Sequence, residues 1–364
     1  MKISPILFAP LLVSAAPGVT RRGHDRVVEK RAATITTTEL ADLRFFSQYA
    51  AAANCNGQVA AGSAIACANN GCPDVEAVGS TVVDTFGGVV TDIHGYVATD
   101  VENKLIVVAY KGSTSLRNYL ADFVFHRVGC ADIVDGCEVH AGFSKANDET
   151  WEKMLATLTT TVAANPTYKV VFTGHSLGGA VATLATARAR KLGFSIDLYN
   201  YGSPRVGNQA FAEFVTSQPG VEYRITHLTD PVPRLPPIFL GYHHISPEYW
   251  LSNGIANTTD YSPADIKICE GTASVQCNAG GLGFDPDAHN YYLGHITACT
   301  GPFDFKKKRD AQGEVEFVSE TAVPPLHITP DLATIDPPVL SDEELIAQML
   351  AFAEQDIDAA NALA

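Results

Sequence analysis

The sequence predicts a protein of the α/β class, with a mixed, mainly parallel central sheet flanked by helices. Two observations support this prediction. Apolar, β-branched runs alternate with segments of helical periodicity between residues 104 and 227, which is the pattern of parallel strands joined by helical crossovers. Within this region, a short apolar strand ends at a glycine-rich turn and is followed at once by an alanine-rich helix, over residues 168–185.

The predicted elements follow one another in a regular order. A helix at 38–53 precedes a meander of strands at 80–111, and the last of these strands, 104–110, is apolar enough to lie at the centre of the sheet. A second amphipathic helix is predicted at 148–164. The remaining elements are the strand and helix of 168–185, a strand at 196–201, a helix at 209–216 and a strand at 223–227.

The bulk composition excludes some functions. The 364 residues are 46% hydrophobic, which is enough for a large core, and they carry a formal net charge of -15. This acidity, together with the lack of a basic stripe with interleaved aromatic side chains, argues against nucleic acid as a partner. No run of apolar residues reaches the length of about 18 that a membrane-spanning helix needs, so we expect no integral membrane segment.

The N-terminal segments indicate secretion. Residues 1–15 combine a lysine, a short apolar stretch and small residues, which is typical of a signal peptide. Residues 16–31 are polar and basic and end in Lys30-Arg31, which predicts a pro-segment removed at a dibasic site. The main domain is then expected at 32–300, followed by an acidic extension at 301–364, in a secreted, extracellular protein.

Eight cysteines follow the pro-segment, and an even number in a secreted chain predicts disulfides. Three pairs are close in sequence, and the remaining two cysteines would close a long loop, for which a cross-link has a large entropic effect. The predicted pairs are Cys67–Cys72, Cys130–Cys137, Cys269–Cys277 and Cys55–Cys299. No Cys-x-x-Cys or histidine cluster accompanies them, so we predict no metal. Asn257 begins an Asn-Thr-Thr sequon and is a predicted glycosylation site.

The most informative motif is the turn Gly174-His-Ser-Leu-Gly178. It is a G-x-S-x-G on a strand–turn–helix, an arrangement that lifts Ser176 above the edge of the sheet. The glycines let the backbone pass closely on either side, and the N-terminus of the helix directs free N–H groups at an oxyanion formed there. An ordinary glycine-rich turn is the alternative, but the flanking strand and helix favour a nucleophilic serine.

A nucleophilic serine needs a base, and a third group that orients the base. Asp230 ends a strand and precedes a proline-rich loop, and it is preferred as the acid over Asp197, which lies near the beginning of its strand. Among the histidines that follow, His289 and His295 are both compatible with the base. The residues alone do not separate these two.

Two donors are predicted for the oxyanion. One is the backbone N–H of Leu177, and the other is Ser113, which follows the strand 104–110 closely. The segment after Ser113 carries large apolar side chains at helical spacing, namely Leu116, Tyr119, Leu120 and Phe123.

Five stretches between residues 40 and 300 resemble the secreted filamentous-fungal triacylglycerol lipases of the class 3 lipase family, which have the α/β-hydrolase fold. The matching stretches are LIVVAYKGSTSLRNYLADF, VVFTGHSLGGA, YGSPRVGNQAFAEF, YRITHLTDPVPRLPP and DAHNYYLG. The resemblance implies that 32–300 is the catalytic domain, that Ser176, His289 and Asp230 are the catalytic triad, and that 115–123 is a lid over the site.

The resemblance extends to residues around the triad. It implies that Ser113 and Leu177 form the oxyanion hole, and that the apolar side chains of the lid face lipid. It also implies three of the disulfides, which are 55–299, 67–72 and 130–137. The pair 269–277 is not part of the family pattern.

The expected function is hydrolysis of triacylglycerols at the lipid–water interface by a monomer, through an acyl-enzyme and without a cofactor. A phospholipase or a feruloyl esterase of the same fold is the alternative. A feruloyl esterase is expected to carry a polar segment over the site, whereas 116–123 is largely apolar. A non-catalytic binding module of this fold usually lacks part of the triad, and every part is present here.

The acidic extension carries two further signals. Lys306-Lys-Lys-Arg309 predicts a cleavage point. Ser341 and Glu344 have the spacing of a capping box in front of an apolar stripe, which predicts a helix near 342–358. Since a lone helix of this length is marginal in water, we expect it to dock near the mouth of the site and to temper access to lipid.

Overall fold

The structure is a computed structural model that describes residues 34–112, 125–281, 283–300 and 340–363. The predicted signal peptide, pro-segment, lid and basic run therefore lie outside the described residues.

The strands in these ranges are β1 Thr81–Gly87, β2 His94–Asp100, β3 Leu105–Tyr110, β4 Arg127–Gly129, β5 Glu138–His140, β6 Lys169–His175, β7 Ile196–Tyr201, β8 Glu222–His227, β9 Glu248–Leu251 and β10 Ile266–Cys269. The helices are α1 Thr37–Asn56, α2 Pro73–Ala77, α3 Ala141–Ala164, α4 Leu177–Lys191, α5 Gln209–Ser217 and α6 Asp342–Leu363.

Eight of the described strands form one sheet in the order β1-β2-β3-β6-β7-β8-β9-β10, and β4 and β5 form a separate ribbon. The strands from β3 to β9 in this sheet run parallel, while β1, β2 and β10 pair antiparallel at the two edges. The mixed, mainly parallel sheet that the sequence predicts is therefore confirmed. β9 and β10 are not predicted, because runs of four residues carry too little periodicity to indicate a strand.

One helix begins well before its predicted start, and its cap explains the difference. α3 starts at Ala141 rather than 148, and the ring of His140 accepts hydrogen bonds from the N–H groups of Gly142 and Phe143. These bonds satisfy two of the N–H groups that have no partner within a first helical turn. A histidine cap with a glycine two residues later is not a helix signal in the sequence, so the first turns of α3 were not predictable from periodicity.

Helices cover both faces of the sheet. α1 packs on one face, and α3 and α4 pack on the other. Successive residues of β6 alternate between the two cores, with Val171 in the cluster of Leu43 and Phe172 in the cluster of Ala185. Each large apolar side chain buried in this way contributes about 1.5–3 kcal/mol. The two cores thus fix the carboxyl ends of the parallel strands, where the loops of the candidate site begin.

The eight cysteines are paired as predicted, including the pair outside the family pattern. Cys55–Cys299 joins the end of α1 to the last part of the main domain, and Cys269–Cys277 closes the loop after β10. The other two disulfides are Cys67–Cys72 and Cys130–Cys137. Asn257, the predicted glycosylation site, is exposed in a turn. No helix among the described residues is both long and apolar enough to cross a membrane.

The C-terminal helix α6 extends beyond the predicted end at 358. Ser341 and Glu344 form the capping box at its start, with bonds of 2.8 Å and 3.2 Å between side chains and backbone N–H groups. Leu345 and Met349 on the apolar side of α6 are buried in a third cluster, with residues of the loops that follow β8 and β10.

Candidate active site

Ser176 lies at the turn between β6 and α4. Its backbone has φ 57° and ψ -129°, a conformation that a non-glycine residue keeps only where the surrounding structure holds it. Ser176 is the N-cap of α4, yet its side chain makes no capping hydrogen bond. The helix therefore does not use the hydroxyl group for its own stabilisation.

Gly174 and Gly178 permit this turn because they have no Cβ. A Cβ at Gly174 would overlap the backbone of Gly178, and a Cβ at Gly178 would overlap the carbonyl oxygen of Tyr110 at the end of β3. The first turn of α4 thus lies directly against the carboxyl ends of β3 and β6. The strand–turn–helix has the geometry that the sequence motif predicts.

Asp230 follows β8 and is completely buried. Its carboxylate accepts a hydrogen bond of 2.9 Å from the N–H of Val232 and another from the hydroxyl of Tyr292. The side-chain amide of Asn278 donates to the backbone carbonyl of Asp230 at 3.0 Å. These contacts hold the carboxylate in one orientation.

His289 lies in the short 3₁₀ turn Pro286–Asn290 and is also completely buried. Its Nδ1 lies 2.7 Å from Oδ2 of Asp230. Since an ionised carboxylate only accepts hydrogen bonds, Nδ1 carries the proton and Nε2 is left as the proton acceptor. This is the tautomer that a general base for a serine requires.

Ser176 and His289 both contact the segment Tyr201–Gly202 at the end of β7. The N–H of Ser176 donates to the carbonyl of Tyr201 at 2.9 Å, and a Cβ at Gly202 would lie 3.0 Å from two atoms of the His289 ring. Gly202 has φ 57°, so it supplies both the backbone conformation and the space for the imidazole. The serine and the histidine are thereby brought to the same edge of the sheet.

His175, the residue before Ser176, packs its ring against the ring of His289. Its ring centroid lies 4.3 Å from that of His289, and both rings are buried. Burial lowers the pKa of His175 well below its ordinary value of 6.5, with the neighbouring His289 adding to the effect. His175 is therefore neutral at physiological pH and packs against the imidazole of His289.

Comparison with known proteins shows the family of this chain. The family model described as Lipase (class 3) matches residues 107–240, and the one described as Lipase 3 N-terminal region matches residues 15–83. A protein named secreted mono- and diacylglycerol lipase 1, from Fusarium solani, is 48% identical over 86% of this chain and 93% of its own length. The chain belongs to the class 3 lipase family.

Other class 3 lipases match over most of their length. Secreted mono- and diacylglycerol lipase A from Penicillium cyclopium is 39% identical over 79% of this chain and 96% of its own. The crystal structure of mono- and diacylglycerol lipase from Aspergillus oryzae superposes with a TM-score of 0.69, at 40% identity, over 72% of this chain and all of that one. The α/β-hydrolase fold and the lipase class predicted from the sequence are confirmed.

In this lipase, the two competing candidates lie in other environments. His295 stacks on Tyr291 with ring centroids 5.0 Å apart, away from the carboxylate of Asp230. Asp197 forms an ion pair of 2.5 Å with Lys169 and accepts a bond from the N–H of Val221. The structure thus pairs His289 with Asp230, places the segment Tyr201–Gly202 against both Ser176 and His289, and gives His295 and Asp197 other partners.

The predicted oxyanion and lid residues are only partly described. Leu177 is the first residue of α4, next to Ser176. Ser113 and the lid residues Leu116, Tyr119, Leu120 and Phe123 lie outside the described residues. The residue before Ser113 lies close to Ser176, since a Cβ added at Gly112 would be 3.6 Å from the Cβ of Ser176.

Sequence reasoning missed the residues that support Asp230 and the turn of His289. Tyr292 donates to the carboxylate of Asp230, and His227 donates from Nδ1 to the carbonyl of Ala288 at 2.9 Å. The other ring nitrogen of His227 lies 2.8 Å from the hydroxyl of Tyr261, and burial lowers the pKa of His227. Tyr292 lies in a stretch that matches the family, but neither residue has a local signal for its role.

One group of potential metal ligands is compact enough to note among the described residues. It consists of Cys67, Cys72 and Glu76. The two cysteines are joined in a disulfide, so neither supplies the thiolate that a soft metal site requires.

Proposed function

We propose that this lipase hydrolyses mono- and diacylglycerols through Ser176, His289 and Asp230. The observation that carries the proposal is the 2.7 Å hydrogen bond between His289 and Asp230, formed beside the strained turn that carries Ser176. The hydrogen-bonded pair supplies the base and the acid that a nucleophilic serine requires, from residues that lie far from Ser176 in the sequence. No cofactor is needed for this chemistry.

The proposed reaction has two halves. Oγ of Ser176 attacks the ester carbonyl while Nε2 of His289 takes its proton, and Asp230 stabilises the imidazolium that forms. The oxyanion of the tetrahedral intermediate accepts hydrogen bonds from the N–H of Leu177 and from Ser113. The intermediate collapses, the glycerol hydroxyl leaves with the proton of His289, and an acyl-enzyme remains. Water then attacks this ester with His289 again as the base, releasing the fatty acid.

The choice of substrate rests on the relatives. The Fusarium solani and Penicillium cyclopium enzymes are named for mono- and diacylglycerols, which supports partial glycerides over the triacylglycerols that the sequence motifs predict. The apolar pattern of the predicted lid, residues 115–123, supports a substrate presented at a lipid–water interface rather than a feruloyl ester.

The test compares matched variants on a series of esters. Replacing Ser176→Ala or His289→Ala should lower the rate of fatty-acid release from dispersed diacylglycerol by a factor of about 10⁴ or more, because each removes a group that acts only with the others. His295→Ala is the control for His289 and should retain most of the activity. The same enzymes are measured on monoacylglycerol, triacylglycerol and phosphatidylcholine.

Two outcomes would contradict the proposal. Loss of activity in His295→Ala with activity retained in His289→Ala would move the base to the other histidine. A wild-type rate on triacylglycerol or phospholipid above that on partial glycerides would overturn the substrate assignment while leaving the triad intact.

Secretion is proposed on separate grounds. The signal-like residues 1–15, the dibasic end of the pro-segment at Lys30-Arg31 and the disulfides of the folded domain all suit an oxidising, extracellular compartment. The relatives from Fusarium solani and Penicillium cyclopium are secreted proteins by name. N-terminal sequencing of the protein from the culture medium should find a chain that begins at residue 32, and retention inside the cell would contradict the proposal.

A further inference from the structure

The C-terminal helix α6 covers an apolar surface of the main domain. We call this the α6 surface and define it by Phe125, Val232, Leu235, Phe239 and Phe284. Leu345 and Met349 of α6 are buried in one cluster with Val232, Leu235 and Phe284. Phe352 of α6 makes ring contacts with Phe125 at 5.8 Å and Phe239 at 5.7 Å between centroids.

A specific polar contact fixes α6 on this surface. The carboxylate of Asp356, which is 2% exposed, lies 2.8 Å from Nη1 of Arg205 and accepts bonds from the N–H groups of Ile238 at 2.5 Å and Phe239 at 3.3 Å. A carboxylate is buried in this way only where charge and hydrogen bonds compensate the loss of water. The contact determines the position of α6, whereas apolar packing alone would allow the helix to slide.

The α6 surface adjoins the candidate active site along three segments. The N–H of Val232 donates to the carboxylate of Asp230 itself. Phe284 belongs to the loop that leads to His289, and Phe125 follows closely on residues 115–123, which the family resemblance assigns to the lid. The residues that α6 covers therefore belong to the loops around the triad.

Removal of α6 would expose several large apolar side chains in one patch beside the active site. Patches of this kind on soluble proteins are typical of surfaces that bind a partner or a lipid. A lipid–water interface offers the same burial to these side chains as α6 does, so the two compete for one surface. Because the enzyme acts on lipid and the patch lies beside the active site, the lipid–water interface is the partner that fits this patch.

The charge of α6 adds a second effect. The helix contains six acidic residues and no basic residue, and its outer side carries the exposed carboxylates of Glu343, Glu344, Glu354 and Asp358. A docked α6 thus presents negative charge next to the active site. Such charge repels an anionic lipid surface and has little effect on an uncharged one.

We propose that the α6 surface is a lipid-contacting surface of the enzyme, and that α6 is its intramolecular competitor, which a lipid interface must displace before it binds there. This inference rests on the proposed action on lipids but concerns adsorption rather than catalysis. While α6 is docked, adsorption is weakened in general and is weakest on anionic lipid.

The test uses full-length protein that carries Ser176→Ala, so that vesicles are not consumed. Leu345→Ser with Met349→Ser removes the apolar contacts of α6 without changing its charge. Leu363→Ser is the matched control, because Leu363 is an apolar residue of the same helix that is 60% exposed. Co-sedimentation with phosphatidylcholine vesicles, with and without an added anionic phospholipid, measures adsorption, and hydrogen exchange over 340–363 reports whether α6 is docked.

The expected result is a rise in adsorption of the double variant by about tenfold, since burying even one large side chain in lipid can supply that factor. The control should bind as the parent does, and the double variant should distinguish less between neutral and anionic vesicles. If hydrogen exchange shows α6 still docked, Asp356→Lys, which places a cation against Arg205, replaces the double variant in the same comparison.

Unchanged adsorption to vesicles by a variant whose α6 has lost its protection from hydrogen exchange would overturn the inference.

A parallel assay separates this result from failure of the proposed function. Hydrolysis of a soluble short-chain ester by the same variants with Ser176 restored should equal that of the wild type. Loss of that activity in every protein, wild type included, would count against the proposed function and not against competition by α6.

Discussion

Arg224 and Arg205 each form a buried ion pair, but their carboxylate partners belong to different parts of the chain. Arg224 pairs with Glu248 at 3.0 Å, and these two residues face each other in the register of β8 and β9. Arg205 pairs at 2.8 Å with Asp356, on the helix α6 that lies far along the chain. All four side chains are 3% exposed or less.

The surroundings of the two carboxylates differ in the same way. Glu248 also accepts bonds from the hydroxyl of Thr226 at 2.5 Å and from the N–H of Asn278 at 3.1 Å. It cannot regain water unless the sheet opens. Asp356 regains water as soon as α6 leaves, and Arg205 then keeps its bonds to the carbonyl groups of Arg234 and Pro236. An arginine–carboxylate pair is thus part of the sheet at Arg224, whereas at Arg205 it is part of a contact with α6 that can separate.

The largest effect is expected from breaking the pair inside the sheet. Glu248→Gln leaves the charge of Arg224 buried without a counter-ion, and we expect the free energy of unfolding to fall by about 3–5 kcal/mol. Urea unfolding followed by tryptophan fluorescence measures this, since Trp250 lies on the same strand. Glu138→Gln, which breaks the half-exposed pair with Arg127, is the control and should cost less than about 1 kcal/mol. Equal losses of the free energy of unfolding in Glu248→Gln and Glu138→Gln would contradict the special role of the buried pair in the sheet.

Breaking the pair at α6 should affect a smaller part of the molecule. Asp356→Lys, which places a second cation against the buried Arg205, should remove hydrogen-exchange protection from 342–363 and leave the strands of the sheet protected, because the loss cannot exceed the free energy that docks α6. The main unfolding transition should shift by less than about 1 kcal/mol. Asp358→Asn changes an exposed residue of the same helix, and it should alter neither the protection of 342–363 nor the main unfolding transition. A fall in sheet stability as large as that of Glu248→Gln would show that α6 is not separable.

The smallest effect is a dependence of α6 docking on pH. Burial raises the pKa of Asp356 above its ordinary value of 3.8, and the attraction of Arg205 offsets this only in part. A raised pKa in the docked state means that docking is strongest below pH 3.8 and weakens as the pH rises through the docked value. Arg234, the other buried cation that interacts with Asp356, remains charged throughout.

The measurement is the protection factor of α6 from about pH 3.8, the ordinary pKa of the Asp356 carboxyl, to neutrality, corrected for the intrinsic exchange rate. The compared proteins all carry Glu344→Gln, because the pKa of Glu344 is lowered from 4.5 by its bonds to Ser341 and its effect on α6 therefore has the opposite sign. Protection should decrease with rising pH in the protein that keeps Asp356 and should be constant in Asp356→Asn. A slope that persists in the variant would assign the dependence to another group.

The contrast between local and distant interactions also explains what the sequence could predict. The Gly174–Gly178 turn and the helix at 342–358 were predictable because glycine spacing, capping and periodicity act within a few residues. The parallel centre of the sheet followed from the alternation of strands and helices.

Other features depend on residues that meet only after folding. Nothing local separates His289 from His295 as the partner of Asp230, and family resemblance was needed to choose. The space at Gly202, the support from His227 and the ion pair of Arg205 with Asp356 are contacts between distant segments. A single sequence has no pattern that reports them, because such pairs obey no fixed spacing.

The Cys55–Cys299 disulfide has a consequence for the behaviour of α6. It anchors the chain to the end of α1 shortly before the acidic extension begins, so the segment that links α6 to the body starts from a fixed point. The occupancy of the α6 surface by α6 is then independent of protein concentration, as for any intramolecular ligand. One cut after Cys299, for example at 306–309, would make α6 a separate molecule that dilution removes. A dilution series of cut and intact enzyme would show the difference, because only the cut enzyme would lose α6 from its surface on dilution.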